Sequence, residues 1–249
     1  MGYFYSKVTL LKRVLSRFFS IQRVHVLSDS HGVVYESMQS SFFYQLKTKI
    51  VHGATITGIQ NINSKTQAKK KFSEYIDKEI SVNDFIIFQL GEVDCGFTVW
   101  FKNKRDGKSF DKLLDRMLEN YHALIEEAYS KQLNKKRLLI TSTTLPTISD
   151  NQDWGEVAHK RKGINANQYE RTQLTLKFNS KLRDLCSLHG YTYIDFDKYL
   201  LNPTTGIVHD YYKHENKLDH HLDPRKISQV ITKELSSLGL KNIELKKNG

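Results

Sequence analysis

The sequence predicts an α/β protein, a three-layer α/β/α sandwich on a five-stranded parallel sheet, and three observations carry that prediction. Short β-branched runs occur at 23–28, 48–52, 84–90, 137–143 and 191–196. The stretches between them are long enough for helices, clearest at 66–79, 109–132, 168–189 and 224–238, and strands alternating with helices imply parallel pairing. Three prolines, no Gly/Ser-rich tract and no repeat interrupt 249 residues, so a single domain over 1–249 is expected.

Residues 1–20 read as a basic amphipathic extension ahead of the first strand. Within 3–21, Leu10, Leu11, Val14, Leu15, Phe18 and Phe19 recur at helical spacing with Lys7, Lys12, Arg13 and Arg17 between them. Such a stripe suits packing against the domain or weak contact with an anionic membrane surface, and is too short and too charged to span one. The first strand, RVHVLS, stops at Ser28-Asp29-Ser30-His31-Gly32; the second, TKIVH, is followed by Gly53; the third, DFIIFQL, runs into Gly91-Glu92-Val93-Asp94-Cys95. RLLITST and YTYIDF complete the sheet. The polar run 216–224, NKLDHHLDP, then leads into a final helix whose first turn suits Pro224. Open parallel sheets place their sites at the carboxyl ends of the strands, so these polar segments are expected to converge on one edge.

Composition narrows the partners. With 38 Lys plus Arg against 27 Asp plus Glu, the net charge is +11, which favours acidic partners, anionic substrates or an anionic surface. The lysines lie on scattered faces such as 65–72 and in the tail 240–249, without an aromatic-interleaved basic stripe, so a solvated surface is expected and no nucleic-acid partner. Cys95 and Cys186 are too few for a disulfide framework, and no signal-peptide pattern is seen; a reducing, cytoplasmic setting is the default expectation.

The ordered segments resemble the SGNH or GDSL hydrolases over most of the chain. That family carries Gly-Asp-Ser after the first strand, a glycine in its second block, Gly-x-Asn-Asp in its third and Asp-x-x-His before its last helix. Asp29-Ser30 keeps the first block, with Ser28 in place of its glycine; Gly53, or else Gly58, stands for the second. The third reads Gly91-Glu92-Val93-Asp94, with Val93 replacing the asparagine, and the last reads Asp219-His220-His221, without the three-residue spacing. The third and last blocks are also similar to those of family members of unknown substrate, some of them with a polysaccharide-biosynthesis context.

The resemblance implies a flavodoxin-like SGNH-hydrolase fold and acyl transfer without a cofactor. Ser30 would attack an ester carbonyl, His221 would take and return its proton, and Asp219 would orient the imidazole. Backbone N–H groups of Ser30 and Gly53 would hold the oxyanion, with Gly91 beside them and Asn61 or Asn63 replacing the donor that Val93 lacks. The expected function is a serine esterase or O-acyltransferase acting on an acylated carbohydrate or other small ester. The alternatives are an inactive binding protein of the same fold, which has lost the oxyanion asparagine, and a membrane- or nucleic-acid-binding protein driven by charge.

Each residue also has a plainer role open to it. Asp29-Ser30 can cap a helix; Asp94 can cap the helix after the third strand or orient substrate; His31 suits a turn or a supporting place behind the reacting groups, Glu92 an ion pair with a basic side chain and Cys95 a small buried position. Over 144–186, Trp154, His159, Arg161, Asn165, Arg171 and Asn179 can contact a sugar or an anionic acyl carrier, or Arg171 and Asn179 can tie their helix to the sheet. His209, Asp210, His214, Glu215, Asp219, His220, His221 and Asp223 invite a metal reading, but no helical His-x-x-x-His register or Cys pair accompanies them, so no metal is expected.

Overall fold

A computed structural model describes residues 22–40, 44–132, 134–150, 164–240 and 244–245. The expected extension over 1–20, with its possible membrane contact through 3–21, lies outside the described residues, as do Trp154, His159 and Arg161. The strands are β1 (Gln22–Ser28), β2 (Met38–Gln39), β3 (Tyr44–Ile50), β4 (Phe85–Gln89), β5 (Leu138–Thr141), β6 (Thr192–Ile194) and β7 (Glu244–Leu245). Five of them form a sheet in the order β3-β1-β4-β5-β6, with every pairing parallel. β2 and β7 pair separately and antiparallel.

Side chains on a strand alternate between faces, and here both faces are buried. Leu27, Ile86, Phe88, Leu138 and Ile140 pack into one apolar cluster; Val24, Val26, Ile87 and Leu139, their immediate neighbours along the chain, pack into the other. Helices α1 (Val33–Glu36), α2 (Ala68–Glu79), α3 (Val99–Asp106), α4 (Phe110–Gln132), α5 (Gln168–His189), α6 (Asp197–Leu200) and α7 (Pro224–Ser237) follow in chain order. Phe72 and Ile76 of α2, Leu114, Met117 and Tyr121 of α4 and Phe178 and Leu182 of α5 cover the first face. Ile227, Val230, Ile231 and Leu235 of α7 cover the second.

Local chemistry sets the helix starts. Asn167 caps α5 through a reciprocal pair with Glu170, and Asp223 caps α7, accepting from the Arg225 N–H with Pro224 in the first turn. The four long helices begin within two residues of the expected positions.

The structure departs from the expected elements at β3 and at α3, and it buries a histidine on β1. The second strand of the sheet runs over 44–50, earlier than the expected 48–52. The Val51 amide still reaches the Ser28 carbonyl, but Ala54 N–H turns back to Val51 and ends the extension. As an edge strand with only partial burial, it tolerates the polar Gln45 and Lys47 that hid its first half. α3 and the π-helical turn Asp94–Thr98 ahead of it were not anticipated. His25, on β1, is buried among apolar residues; its Nδ1 pairs with Tyr75 Oη at 2.9 Å and its Nε2 with Asp84 Oδ2 at 3.2 Å. Burial lowers its pKa to about 4, so the ring is neutral in the fold.

Candidate active site

The strand order reverses direction around β1, and the loops after β1 and β4 meet there, at the switch point where open α/β sheets bind ligands. Ser30 begins a tight 3-10 turn, Ser30–Gly32, whose cap is Asp29. Asp29 Oδ1 accepts from His31 N at 2.9 Å and its Oδ2 from Gly91 N at 3.2 Å, so this buried carboxyl fastens the Ser30 turn to the end of β4. Burial raises its pKa, opposed by His31 and by these donors. Asp29 therefore caps the turn, and the adjacent Ser30 opens it.

Ser28 shows why the first block tolerates a serine in place of glycine. Its Oγ donates to the Gln89 carbonyl at 2.7 Å. A Cβ on Gly32 would lie 2.4 Å from Ser28 Cβ and 2.5 Å from its Oγ, so the space is shared and only one of the two positions carries a side chain. Gly32→Ala is expected to cost about 1–3 kcal/mol by overpacking. The double variant Ser28→Gly/Gly32→Ala should then be more stable than Gly32→Ala alone, as read from urea-unfolding midpoints; simple additivity of the two changes would refute the shared-space account.

The loop before α7 carries Asp219, His220 and His221. His221 Nδ1 lies 2.7 Å from Asp219 Oδ1, which also accepts from the His221 backbone N–H at 2.9 Å. The two-residue spacing thus closes on itself by a turn, and no third residue is needed. Burial and the neighbouring His31 lower the His221 pKa. At Asp219, burial acts upward but is outweighed by the His221 hydrogen bonds, and its pKa is lowered. The outward nitrogen, His221 Nε2, is buried and has no hydrogen-bond partner, so a bond to Ser30 Oγ is not closed in this structure. The two loops nevertheless touch: the ring of His31, next to Ser30, lies 4.9 Å from that of His221 and 5.6 Å from that of His220.

The other expected site residues fall elsewhere. Gly53 is exposed in the turn after β3. Gly91 adopts φ +117, a left-handed value that L side chains rarely take, and its amide already donates to Asp29; it shapes the loop and is not an oxyanion donor. Asp94 does not cap α3. It is fully buried, with Oδ2 accepting from Ile56 N at 2.6 Å and Oδ1 from Thr57 N and Oγ1 at 3.0 and 2.7 Å, which clamps the loop after β3. Burial raises its pKa to about 6 against those donors.

Asn61 and Asn63 are exposed and bond to each other, Asn63 N to Asn61 Oδ1 at 2.9 Å. Asn61 lines a separate cleft with Ile59, Ile62 and Lys69, whose walls include neither Ser30 nor His221. Arg171 is buried and donates to the Ile148 carbonyl at 2.7 Å, and Asn179 joins Thr143 to Asp197; both tie α5 to the ends of the sheet, the plainer of their two roles. Glu92, expected in an ion pair, is buried with its Oε2 at 3.1 Å from His31 Nε2. The sequence reading did not pair these two residues with each other, because they lie some sixty residues apart and the β1–β4 pairing brings them together.

Beside Asp219 opens a polar cleft of about 370 Å³ lined by Thr147, Ser149, Asp210, Lys213, His214, Glu215, Lys217, Asp219 and Lys226. Thr147 Oγ1 donates to the His220 carbonyl at its rim.

These features define an open parallel α/β sheet with a polar, titratable loop cluster at its switch point. No family model and no curated protein matches the chain. Among solved structures it is similar to a GDSL-like lipase from Bacteroides thetaiotaomicron, with TM-score 0.53 and 12% identity over 89% of this chain and 90% of that one. It is also similar to a member of the lipolytic G-D-S-L family from Veillonella parvula, with TM-score 0.50 and 13% identity over 87% and 97%. The chain has the SGNH/GDSL-hydrolase fold. Among the described residues, no helix is long and apolar enough to cross a membrane.

Proposed function

We propose that the protein is a serine ester hydrolase or O-acyltransferase whose nucleophile is Ser30, whose base is His221 and whose orienting carboxylate is Asp219. The observation that carries this reading is the 2.7 Å Asp219–His221 pair, with its second imidazole nitrogen unpartnered, set against the turn that presents Ser30. Ser30 Oγ adds to the ester carbonyl carbon while its proton passes to His221 Nε2. The same proton is returned to the leaving alcohol as the C–O bond breaks, and water or an acceptor hydroxyl then attacks the acyl-serine by the reverse route. The amide of Ser30, at the first position of its turn where no preceding carbonyl is in helical register, supplies an oxyanion donor.

The cleft beside Asp219 supports a reading of the substrate class. Its walls offer Lys213, Lys217 and Lys226 against Asp210, Glu215 and Asp219, together with two hydroxyls, a lining suited to an acylated carbohydrate or another small hydroxyl-rich ester. The GDSL-like lipase of the same fold supports ester chemistry in general.

A fluorophosphonate probe tests the assignment. Labelling that maps by peptide mass spectrometry to Ser30, and that an excess of activated ester suppresses, is the expected result. A folded protein that takes up no label would instead favour the non-catalytic binding protein.

A further inference from the structure

We propose that His31, His220 and His221 form a zinc site superimposed on the catalytic base, so that zinc occupancy and ester turnover compete for one nitrogen. The proposal rests on the reading of His221 as the base for its catalytic consequence, and on geometry alone for the site. One ligand atom from each of the three imidazoles lies within 4.8 Å of the others. Two nitrogens on one tetrahedral zinc are about 3.3 Å apart, given Zn–N bonds of roughly 2.0–2.1 Å, so small ring rotations close the set. Serine catalysis has no use for His220, yet its ring packs 4.1 Å from that of His221 and its carbonyl is held by Thr147.

Two carboxylates stand behind the imidazoles in the manner of outer-shell partners of a metal. Asp219 Oδ1 holds His221 Nδ1 at 2.7 Å, and the other ring nitrogen, Nε2, is buried and without a hydrogen-bond partner. Glu92 Oε2 lies 3.1 Å from His31 Nε2, with both side chains only 2% exposed. A carboxylate on the far nitrogen fixes the tautomer, raises ligand basicity and here offsets the charge of a dication. Three nitrogen ligands with one position left over suit zinc, a borderline-soft ion, better than the oxygen-seeking calcium or magnesium. Zinc on His221 Nε2 occupies the lone pair that would accept the Ser30 proton, so the metal acts as a reversible inhibitor.

Zinc binding to the metal-free protein is measured by competition with a chromophoric chelator, and cobalt is used to report tetrahedral nitrogen ligation by its visible absorption. One equivalent is expected to bind. Glu92→Gln should weaken binding by roughly 10–100-fold, and His220→Ala, which removes a ligand, by more. Zinc should inhibit the wild type, a chelator should restore turnover, and His220→Ala should keep basal turnover while resisting zinc. Absence of stoichiometric binding overturns the site. So does binding that survives His220→Ala, or that is lost instead in His122→Ala, a variant of the separate His122–His189 pair whose rings lie 4.0 Å apart. Stimulation of turnover by zinc would overturn the competition. Because binding is read without activity, His220-dependent zinc binding in a protein with no esterase activity supports the site while removing the serine reading.

Discussion

Ser30→Ala lowers kcat/KM for an activated ester by roughly 10⁴–10⁶-fold and shifts stability by less than about 1 kcal/mol. The two effects separate because the elements around Ser30 hold the turn without its hydroxyl. Asp29 accepts from His31 N and Gly91 N, and Ser28 Oγ binds the Gln89 carbonyl. The hydroxyl is needed only as the atom that forms the acyl-enzyme. His221→Ala should reach a similar floor, since groups that act as a unit are not additive. Asp219→Asn should cost less, because the backbone N–H of His221 still anchors the loop to residue 219. His220→Ala should leave measurable turnover, because the imidazole that Asp219 Oδ1 holds at 2.7 Å is that of His221. Kinetics of the four variants with one ester check the set, and a dead His220 variant beside an active His221 variant would reassign the base.

Asp94→Ala destabilises the fold by about 3 kcal/mol or more. The carboxylate is fully buried, and its removal strips the acceptor from the amides of Ile56 and Thr57 and from the Thr57 hydroxyl. Each buried donor left without a partner costs about 1–3 kcal/mol, and no solvent reaches Ile56 to compensate. Asp94→Asn should fall between the two, since it keeps one acceptor oxygen and turns an NH₂ toward a donor. Urea unfolding gives the stabilities, and steady-state kinetics on the folded fraction give the role. An unchanged KM is expected of a clamp; a raised KM with unimpaired stability would restore Asp94 as a substrate contact.

The apolar rhythm of the sequence determined the fold. Ile86, Ile87 and Phe88, like Leu138, Leu139 and Ile140, are apolar at consecutive positions because each strand is buried on both faces, and the intervening helical stretches then fix a parallel sheet. Chain order alone also placed Ser30 and Asp219-His220-His221 at the same edge, since both follow or precede elements whose ends the sheet rule assigns. Edge strand β3 and helix α3 were less legible, because partial exposure relaxes the pattern that marks an element.

What individual polar residues do was decided only by tertiary contacts. Asp94 stands where a substrate-facing carboxylate was expected and instead holds Ile56 and Thr57, and the Gly91 amide is taken by Asp29. Ser28 is tolerated because Gly32, four residues on, lacks a Cβ. The histidine-rich run 209–224 shows the same limit from the other side. It gave no metal register by spacing, and the third imidazole of the cluster, His31, comes from the far end of the chain. Hydrophobic burial is a property of single residues and leaves a period in the sequence. A hydrogen bond or a ligand set belongs to pairs and triples whose spacing depends on how the strands are ordered, so it becomes visible only when the sheet is assembled.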